Sequence, residues 1–172
     1  DVDLHVTNPG ARGVVVRREP PDDEPIEPLD DYRLRVLQTQ RRRGVYPFEL
    51  IRLLTPPAGA ASDFPVGDFV EHDLDGEGRL VPVDRAPGGN TANLVVGVIR
   101  NVVPTVPEGM RRVLIAGDPS RSLGSLAEAE CRRIVASLDL AERLGVPVEW
   151  FAVSSGARIS MSSGTENMDW IG

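Results

Sequence analysis

Apolar residues in this chain change their spacing from segment to segment, and each spacing predicts an element. Leu4-His5-Val6 and Val14-Val15-Val16 are short strand-like runs. Tyr32, Leu34 and Leu37 come at mixed spacing until Gly44 breaks the segment, and Phe48, Leu50, Ile51, Leu53 and Leu54 follow Pro47 as a second apolar cluster. Both segments are expected to be helical, and the Pro-, Gly- and Ala-rich stretch 56–67 a loop. Phe69-Val70-Glu71-His72-Asp73-Leu74 reads as a strand, Asp75-Gly76-Glu77-Gly78 as a hairpin-type turn, and Leu80 to Val83 as the returning strand. Leu94-Val95-Val96-Gly97-Val98-Ile99 and Arg112-Val113-Leu114-Ile115-Ala116 are continuous apolar runs of the kind found in buried strands, with a Pro-bearing loop expected between them.

The clearest periodicity lies at 126–144, where Ala127, Cys131, Ile134, Val135, Leu138 and Ala141 recur at helical spacing and predict one apolar face. Ser125 and Glu128 have the Ser-x-x-Glu spacing of a capping box. Gly145 stops the helix, and after Pro147 a strand is expected over Val148 to Val153. The strand at 112–116, this helix and the strand at 148–153 form a strand–helix–strand unit, expected to be a right-handed parallel crossover.

Composition narrows the range of functions. A length of 172 residues suits about one domain with a real core. No apolar run approaches the ~20 residues of a membrane span. Asp and Glu number 26 against 19 basic residues, and the net charge of −7 argues against non-specific nucleic-acid binding. Every basic residue other than the two histidines is an arginine, which excludes lysine Schiff-base chemistry and a P-loop phosphate ligand. With 17 Gly and 15 Pro, the absence of lysine reads as codon bias of a GC-rich, bacterial genome. The single cysteine, Cys131, allows no intrachain disulfide and is expected to be an inert core residue. Residues 19–31 are Pro- and acid-rich and read as a linker, so 1–30 is expected to be a linker or the end of a preceding domain. The chain starts at Asp1 and stops at Gly172, and both ends read as cut from a longer protein.

Candidate chemistry sits at strand ends. Ser154-Ser155-Gly156-Ala157-Arg158 directly follows the last buried strand. Small residues there let the backbone approach a ligand, and amides at such a turn can face developing negative charge. An ordinary strand-to-helix turn has the same composition. The stretch from Gly117 to Ser125 follows the preceding strand, where ligands of open α/β sheets gather, but it has no Gly-x-Gly-x-x-Gly or Gly-x-x-x-x-Gly-Lys pattern and a plain loop is the alternative. His72, beside Asp73 in an alternating strand, is expected at the surface; His5 is the only other histidine, and no Ser-His-Asp triad can be assembled. The acidic spacing from Asp73 to Gly78 reads as a turn rather than a calcium loop, and no metal site is expected. Arg41-Arg42-Arg43 reads as a solvated helix end, with a phosphate contact as the alternative. The residues alone therefore reach an α/β domain with a candidate backbone oxyanion site.

A family resemblance adds to this. Val146-Pro147-Val148-Glu149-Trp150-Phe151, Ser155-Gly156-Ala157-Arg158-Ile159 and Ser163-Gly164-Thr165-Glu166-Asn167-Met168-Asp169-Trp170 resemble the carboxyltransferase domain of biotin-dependent acyl-CoA carboxylases, nearest to the large multidomain acetyl-CoA carboxylases. Tyr46-Pro47-Phe48-Glu49-Leu50, Pro87-Gly88-Gly89-Asn90-Thr91-Ala92, Pro107-Glu108-Gly109-Met110, Gly117-Asp118-Pro119 and Leu123-Gly124-Ser125-Leu126-Ala127-Glu128 match upstream and in order. The resemblance implies a crotonase-like α/β fold, a spiral of strand–strand–helix units, with 31–172 as the truncated N-terminal part of the domain. It implies transfer of a carboxyl group from carboxybiotin to acetyl-CoA or another short acyl-CoA, giving malonyl-CoA for fatty acid synthesis. Ser155, Gly156 and Ala157 are the implied oxyanion-stabilising, catalytic residues. Gly124 and Ser125 are implied near the CoA body and Asn90 and Thr91 near its adenine end, with Arg158 on the substrate side as a buttress of the turn.

The chain has no lysine to carry biotin and no phosphate loop for ATP, and the resemblance implies that both cofactors belong to separate biotinyl carrier and biotin carboxylase domains. A C-terminal carboxyltransferase half, a homodimer and a cytoplasmic location are implied as well, with no nucleic acid or membrane as partner. The chain alone is expected to be inactive and not to be a stable isolated domain. The competing readings are another crotonase-type acyl-CoA hydratase, isomerase or hydrolase, for which Glu166 is the only nearby glutamate, and a non-enzymatic dimerisation scaffold.

Overall fold

The computed structural model describes residues 3–7, 15–19, 28–162 and 165–168. Val14, most of the expected linker (20–27), Ser163-Gly164 and Asp169-Trp170 lie outside the described residues. Two short strands, β1 (Asp3–Thr7) and β2 (Val15–Glu19), pair antiparallel. Helix α1 (Asp31–Arg41) begins where the Asp30 carboxylate accepts the Arg33 amide at 2.7 Å, and Pro47 opens α2 (Pro47–Leu54). The Arg41-Arg42-Arg43 cluster is exposed at the end of α1.

The central sheet has five strands: β3 (Gly67–Leu74), β4 (Leu80–Pro82), β5 (Leu94–Val103), β6 (Val106–Gly117) and β7 (Val148–Phe151), in the order β4-β3-β5-β6-β7. Only β6 and β7 are parallel; they are joined by α3 (Glu128–Leu144), the expected strand–helix–strand unit. The loop expected before Arg112 is only a tight turn at Pro104-Thr105, because Val106 to Arg111 already pair with β5. The last strand ends at Phe151 rather than Val153. Beyond it, β8 (Ile159–Ser162) and β9 (Thr165–Met168) pair antiparallel.

The continuous apolar runs have a simple cause: helices cover both faces of the sheet. Val95, Ile99, Leu114 and Ala116 pack under Tyr46, Phe48, Ile51 and Leu54 from the α2 side. Leu94, Val96, Val113 and Ile115 pack under Ala136, Leu140 and Ala141 of α3. Gly97 is required on the first face, since a Cβ there would stand 2.3 Å from the Val70 carbonyl oxygen and 2.4 Å from the Phe69 ring.

Three expectations for α3 and the sheet are corrected. The N-cap is Ala127, not Ser125, and Glu130 rather than Glu128 caps it, its Oε2 accepting the Ala127 amide at 2.9 Å. The buried face of α3 carries Glu130, Ala136, Ser137, Leu140 and Ala141, while Val135 and Leu138 are exposed and Cys131 is half-buried. Polar Glu130 and Ser137 can be buried because each is satisfied: Glu130 accepts from Ala127 and from two distant segments, and the Ser137 hydroxyl donates to the Arg133 carbonyl at 2.6 Å. His72 is buried rather than at the surface, its Nδ1 lying 2.9 Å from the Val70 carbonyl oxygen. Asp75 closes the β3–β4 turn by accepting the Glu77 and Arg79 amides.

An ion network braces the sheet to α3. Asp73 accepts Arg85 Nη1 at 2.6 Å and Arg133 Nε at 2.8 Å, and Arg85 also pairs with Glu71. Burial pushes the Asp73 carboxyl up, but hydrogen bonds from Arg85 and the Leu74 amide and the charge of Arg133 outweigh it and hold the group below its ordinary range.

Candidate active site

The parallel pair β6 and β7 sets the place of the site, since the carboxyl ends of parallel strands leave loops free to line a crevice. Beyond β6 the chain makes a one-turn helix, Ser122–Gly124, in the left-handed region: φ is 43° at Ser122, 55° at Leu123 and 69° at Gly124. Two non-glycine residues in succession there store backbone strain. The 155–157 turn beyond β7 docks on this segment. The Ser155 amide donates to the Leu123 carbonyl at 3.1 Å, the Leu126 amide to the Gly156 carbonyl at 2.8 Å, and the Arg158 amide to the Leu126 carbonyl at 2.7 Å. Glycine is essential at the contact: a Cβ on Gly117 or Gly124 would lie 2.1 or 2.5 Å from the Val153 carbonyl oxygen.

A polar cavity of about 480 Å³ opens beside this contact, lined by Thr91, Asn93, Arg121, Ser122 and Arg158. Beneath it runs a buried polar network. Glu130, 1% exposed, accepts the Asn93 amide at 2.9 Å on Oε1, and the Ala127 amide at 2.9 Å and Arg158 Nη2 at 3.2 Å on Oε2. The Asn93 side chain donates to the Ser125 carbonyl at 2.8 Å. Asp118, wholly buried, accepts the Ser120 hydroxyl at 2.6 Å and Asn90 Nδ2 at 3.0 Å. A larger cavity, about 710 Å³, lies between α1 and α2 against Ala86 and Pro87. Its polar groups serve each other, with the Tyr32 hydroxyl donating to Glu49 at 2.5 Å.

Of the residues expected from sequence, Thr91 and Arg158 line the cavity. Gly124, which ends the left-handed turn, and Ser125, extended at φ −62°, are both buried and are not among the residues that line it. Asn90 is also buried, its amide donating to Asp118 and to the Ala92 carbonyl. In the 155–157 turn the Ser155 amide is taken by Leu123 and the Gly156 amide by the Ser154 hydroxyl at 3.0 Å. The Ala157 amide donates to no group among the described residues. Gly156 has φ of 98° with open space where a Cβ would stand. Arg121 and Ser122, within the candidate stretch from Gly117 to Ser125, line the cavity too, whereas sequence reasoning missed Asn93 and Glu130; for Glu130, its place three residues beyond the true cap was the available signal. No group of three His, Cys, Asp or Glu suited to a metal, and no helix long and apolar enough to cross a membrane, occurs among the described residues.

Comparison with known proteins fits this geometry. No protein-family profile matches the chain. It is 32% identical over 96 residues to an acetyl-CoA carboxylase of Saccharomyces cerevisiae, a match over 55% of this chain and 4% of that protein. It is 32% identical over 88 residues to the acetyl-CoA carboxylase of Schizosaccharomyces pombe, over 51% of this chain and 4% of the relative. The chain thus spans only a small part of these relatives. Among solved structures, the β subunit of geranyl-CoA carboxylase from P. aeruginosa superposes with a TM-score of 0.50 at 16% identity, covering 73% of this chain and 20% of that one. The chain is therefore similar to a small part of the acetyl-CoA carboxylases, and its fold is the crotonase-like α/β fold of the geranyl-CoA carboxylase β subunit.

Proposed function

We propose that this chain is the N-terminal part, over 31–172, of the carboxyltransferase domain of a biotin-dependent acyl-CoA carboxylase, preceded by a linker. In this reading a carboxyl group passes to acetyl-CoA or another short acyl-CoA, giving a malonyl-CoA-type product for fatty acid synthesis in the cytoplasm. One observation carries it: the 155–157 turn docks beside a cavity bearing two arginines, with the Ala157 amide uncommitted among the described residues.

The chemistry needs an enolate stabilised on the thioester oxygen, and a backbone amide does this without titrating and with little reorganisation. Ser155 and Gly156 shape the turn while Ala157 donates. Arg121 and Arg158 give the cavity a positive potential suited to the anionic groups of an acyl-CoA. The chain contains no lysine, so its residues suit a site that receives biotin from a carrier domain rather than one that bears it. Biotin supplies the carboxyl group, ATP is used by a separate biotin carboxylase domain, and a C-terminal half in a homodimer completes the site.

Titration with acetyl-CoA by calorimetry of the longer carboxylase that contains this chain tests the reading, with the 172-residue chain assayed beside it for carboxyl transfer. Saturable binding by the longer protein, and no transfer by the chain alone, is expected. Absence of binding to any acyl-CoA overturns the reading in favour of a scaffold. Transfer by the chain alone overturns the claim that the site needs a second half.

A further inference from the structure

Resting on the acyl-CoA reading above, we propose that Glu130 is a positioning residue of this site: its buried carboxylate locks Arg158 and the 155–157 turn to the start of β5 and the first turn of α3.

A buried carboxylate is costly unless its lone pairs are filled. Helix capping alone needs one oxygen and one amide, and the Ala127 amide meets that need. The other bonds leave the helix. Oε1 takes the Asn93 amide, 37 residues away in sequence, and Oε2 also takes Arg158 Nη2, 28 residues away. Asn93 and Arg158 both line the cavity, so one carboxylate joins two of its walls to the floor of α3. Arg158 is held at its head by Glu130 and at its backbone by the Leu126 carbonyl, which fixes the residue directly after Ala157 from two sides. The three donors come from three segments that share no other single acceptor among the described residues. An apolar side chain would fill the same volume, so the carboxylate is used here for geometry rather than for packing.

Glu130→Gln is the sharpest probe, because it keeps the volume and replaces one acceptor by an NH2 group. Whichever way the amide turns, that group faces an N–H: the Asn93 amide, or the Ala127 amide together with Arg158. In the ligand-free longer protein that contains this chain, hydrogen exchange at the Leu126 and Arg158 amides is expected to rise roughly tenfold in Glu130→Gln, with the Val95 and Leu114 amides unchanged. Acetyl-CoA affinity is expected to fall roughly tenfold, and Arg158→Ala to lower it no further in the Glu130→Gln background. Wild-type exchange at the turn, equal acceleration of the core amides, or fully additive losses with Arg158→Ala would each overturn the positioning role. Failure of the wild-type protein to bind acyl-CoA sinks the functional reading alone, because the exchange result in free protein still decides the positioning claim. Should Glu130→Gln not fold, Glu130→Asp, which keeps the charge but withdraws it by one methylene, is read by the same measurements with the same expected outcomes.

Discussion

Two asparagines near opposite ends of β5 are both buried and are used differently. Asn101 donates to the Leu54 and Pro65 carbonyls, each at 2.9 Å, and its Oδ1 accepts Arg112 Nη1 at 2.6 Å. Asn90, just before the strand, donates to the Ala92 carbonyl and to Asp118, but its Oδ1 has no partner among the described residues. The Nε of Arg158 is in the same position at the same end of the sheet. Buried polar groups are satisfied almost everywhere in folded proteins; of the four buried side-chain atoms without a partner among the described residues, Thr39 Oγ1 and Tyr46 Oη belong to the α1–α2 side and the other two lie at this end of the sheet. The hairpin end of the sheet is closed construction; the end carrying the 155–157 turn is not.

The largest effect expected from this contrast is on Asn101. Asn101→Ala strands the buried Leu54 carbonyl and the part-buried Pro65 carbonyl and leaves the Arg112 guanidinium only Glu149, and should cost about 3 kcal/mol in urea denaturation. Acetyl-CoA affinity should stay within about twofold of wild type, since nothing at the site end is touched. A comparable fall in affinity would erase the distinction between the two ends.

Gly156→Val comes next. Its φ of 98° is unfavourable for any β-branched residue, and about 2 kcal/mol of strain is expected either as lost stability or as a displaced turn. A Cβ itself meets nothing, so the damage arises from the backbone and from side-chain bulk in the open space before the Ala157 amide. Loss of acetyl-CoA binding with a folded far-ultraviolet spectrum is the expected result, and unchanged affinity would remove the turn from the site.

Much of this architecture is legible in the sequence, for reasons that particular residues make clear. Leu94 to Ile99 and Val113 to Ala116 read as buried strands because helices cover both sheet faces, so alternation never had to appear. Gly145 ends α3 with φ of 64°, as a terminal glycine should. The face of α3 was not legible. Hydrophobicity placed Val135 and Leu138 inward, whereas the buried positions include Glu130 and Ser137, whose partners lie elsewhere in the fold or one helical turn back. The same reason hid part of the cavity. Thr91 and Arg158 sit in motifs, and Arg121 and Ser122 in the candidate loop after β6, but Asn93 acquires meaning only when segments distant in sequence meet.

Asn90→Ala sharpens the comparison at smaller scale. It removes two hydrogen bonds, to Ala92 and Asp118, but also an unpaired buried oxygen, so the losses partly cancel at about 1 kcal/mol. Because Asp118 holds Ser120 and the loop leading to Arg121, acetyl-CoA affinity should fall more than stability does. Equal losses in the two measurements would make Asn90 a second Asn101.

The smallest effect belongs to the ion pair between Asp68 and Arg100, at the hairpin end of the sheet, where Nη2 and Oδ2 are 2.7 Å apart and both side chains are about half exposed. Water screens such a pair and the long arginine side chain loses freedom in holding it, so Asp68→Ala should cost at most about 0.5 kcal/mol and less still in high salt. The pair between Arg158 and Glu130 is longer, 3.2 Å, yet the carboxylate there is 1% exposed and has no water to replace its partner. If geometry alone set their worth, the shorter pair would matter more; if burial does, removing Arg158 costs several times what removing Asp68 does, and only the first loss persists in 1 M salt, where the screening length is about 3 Å.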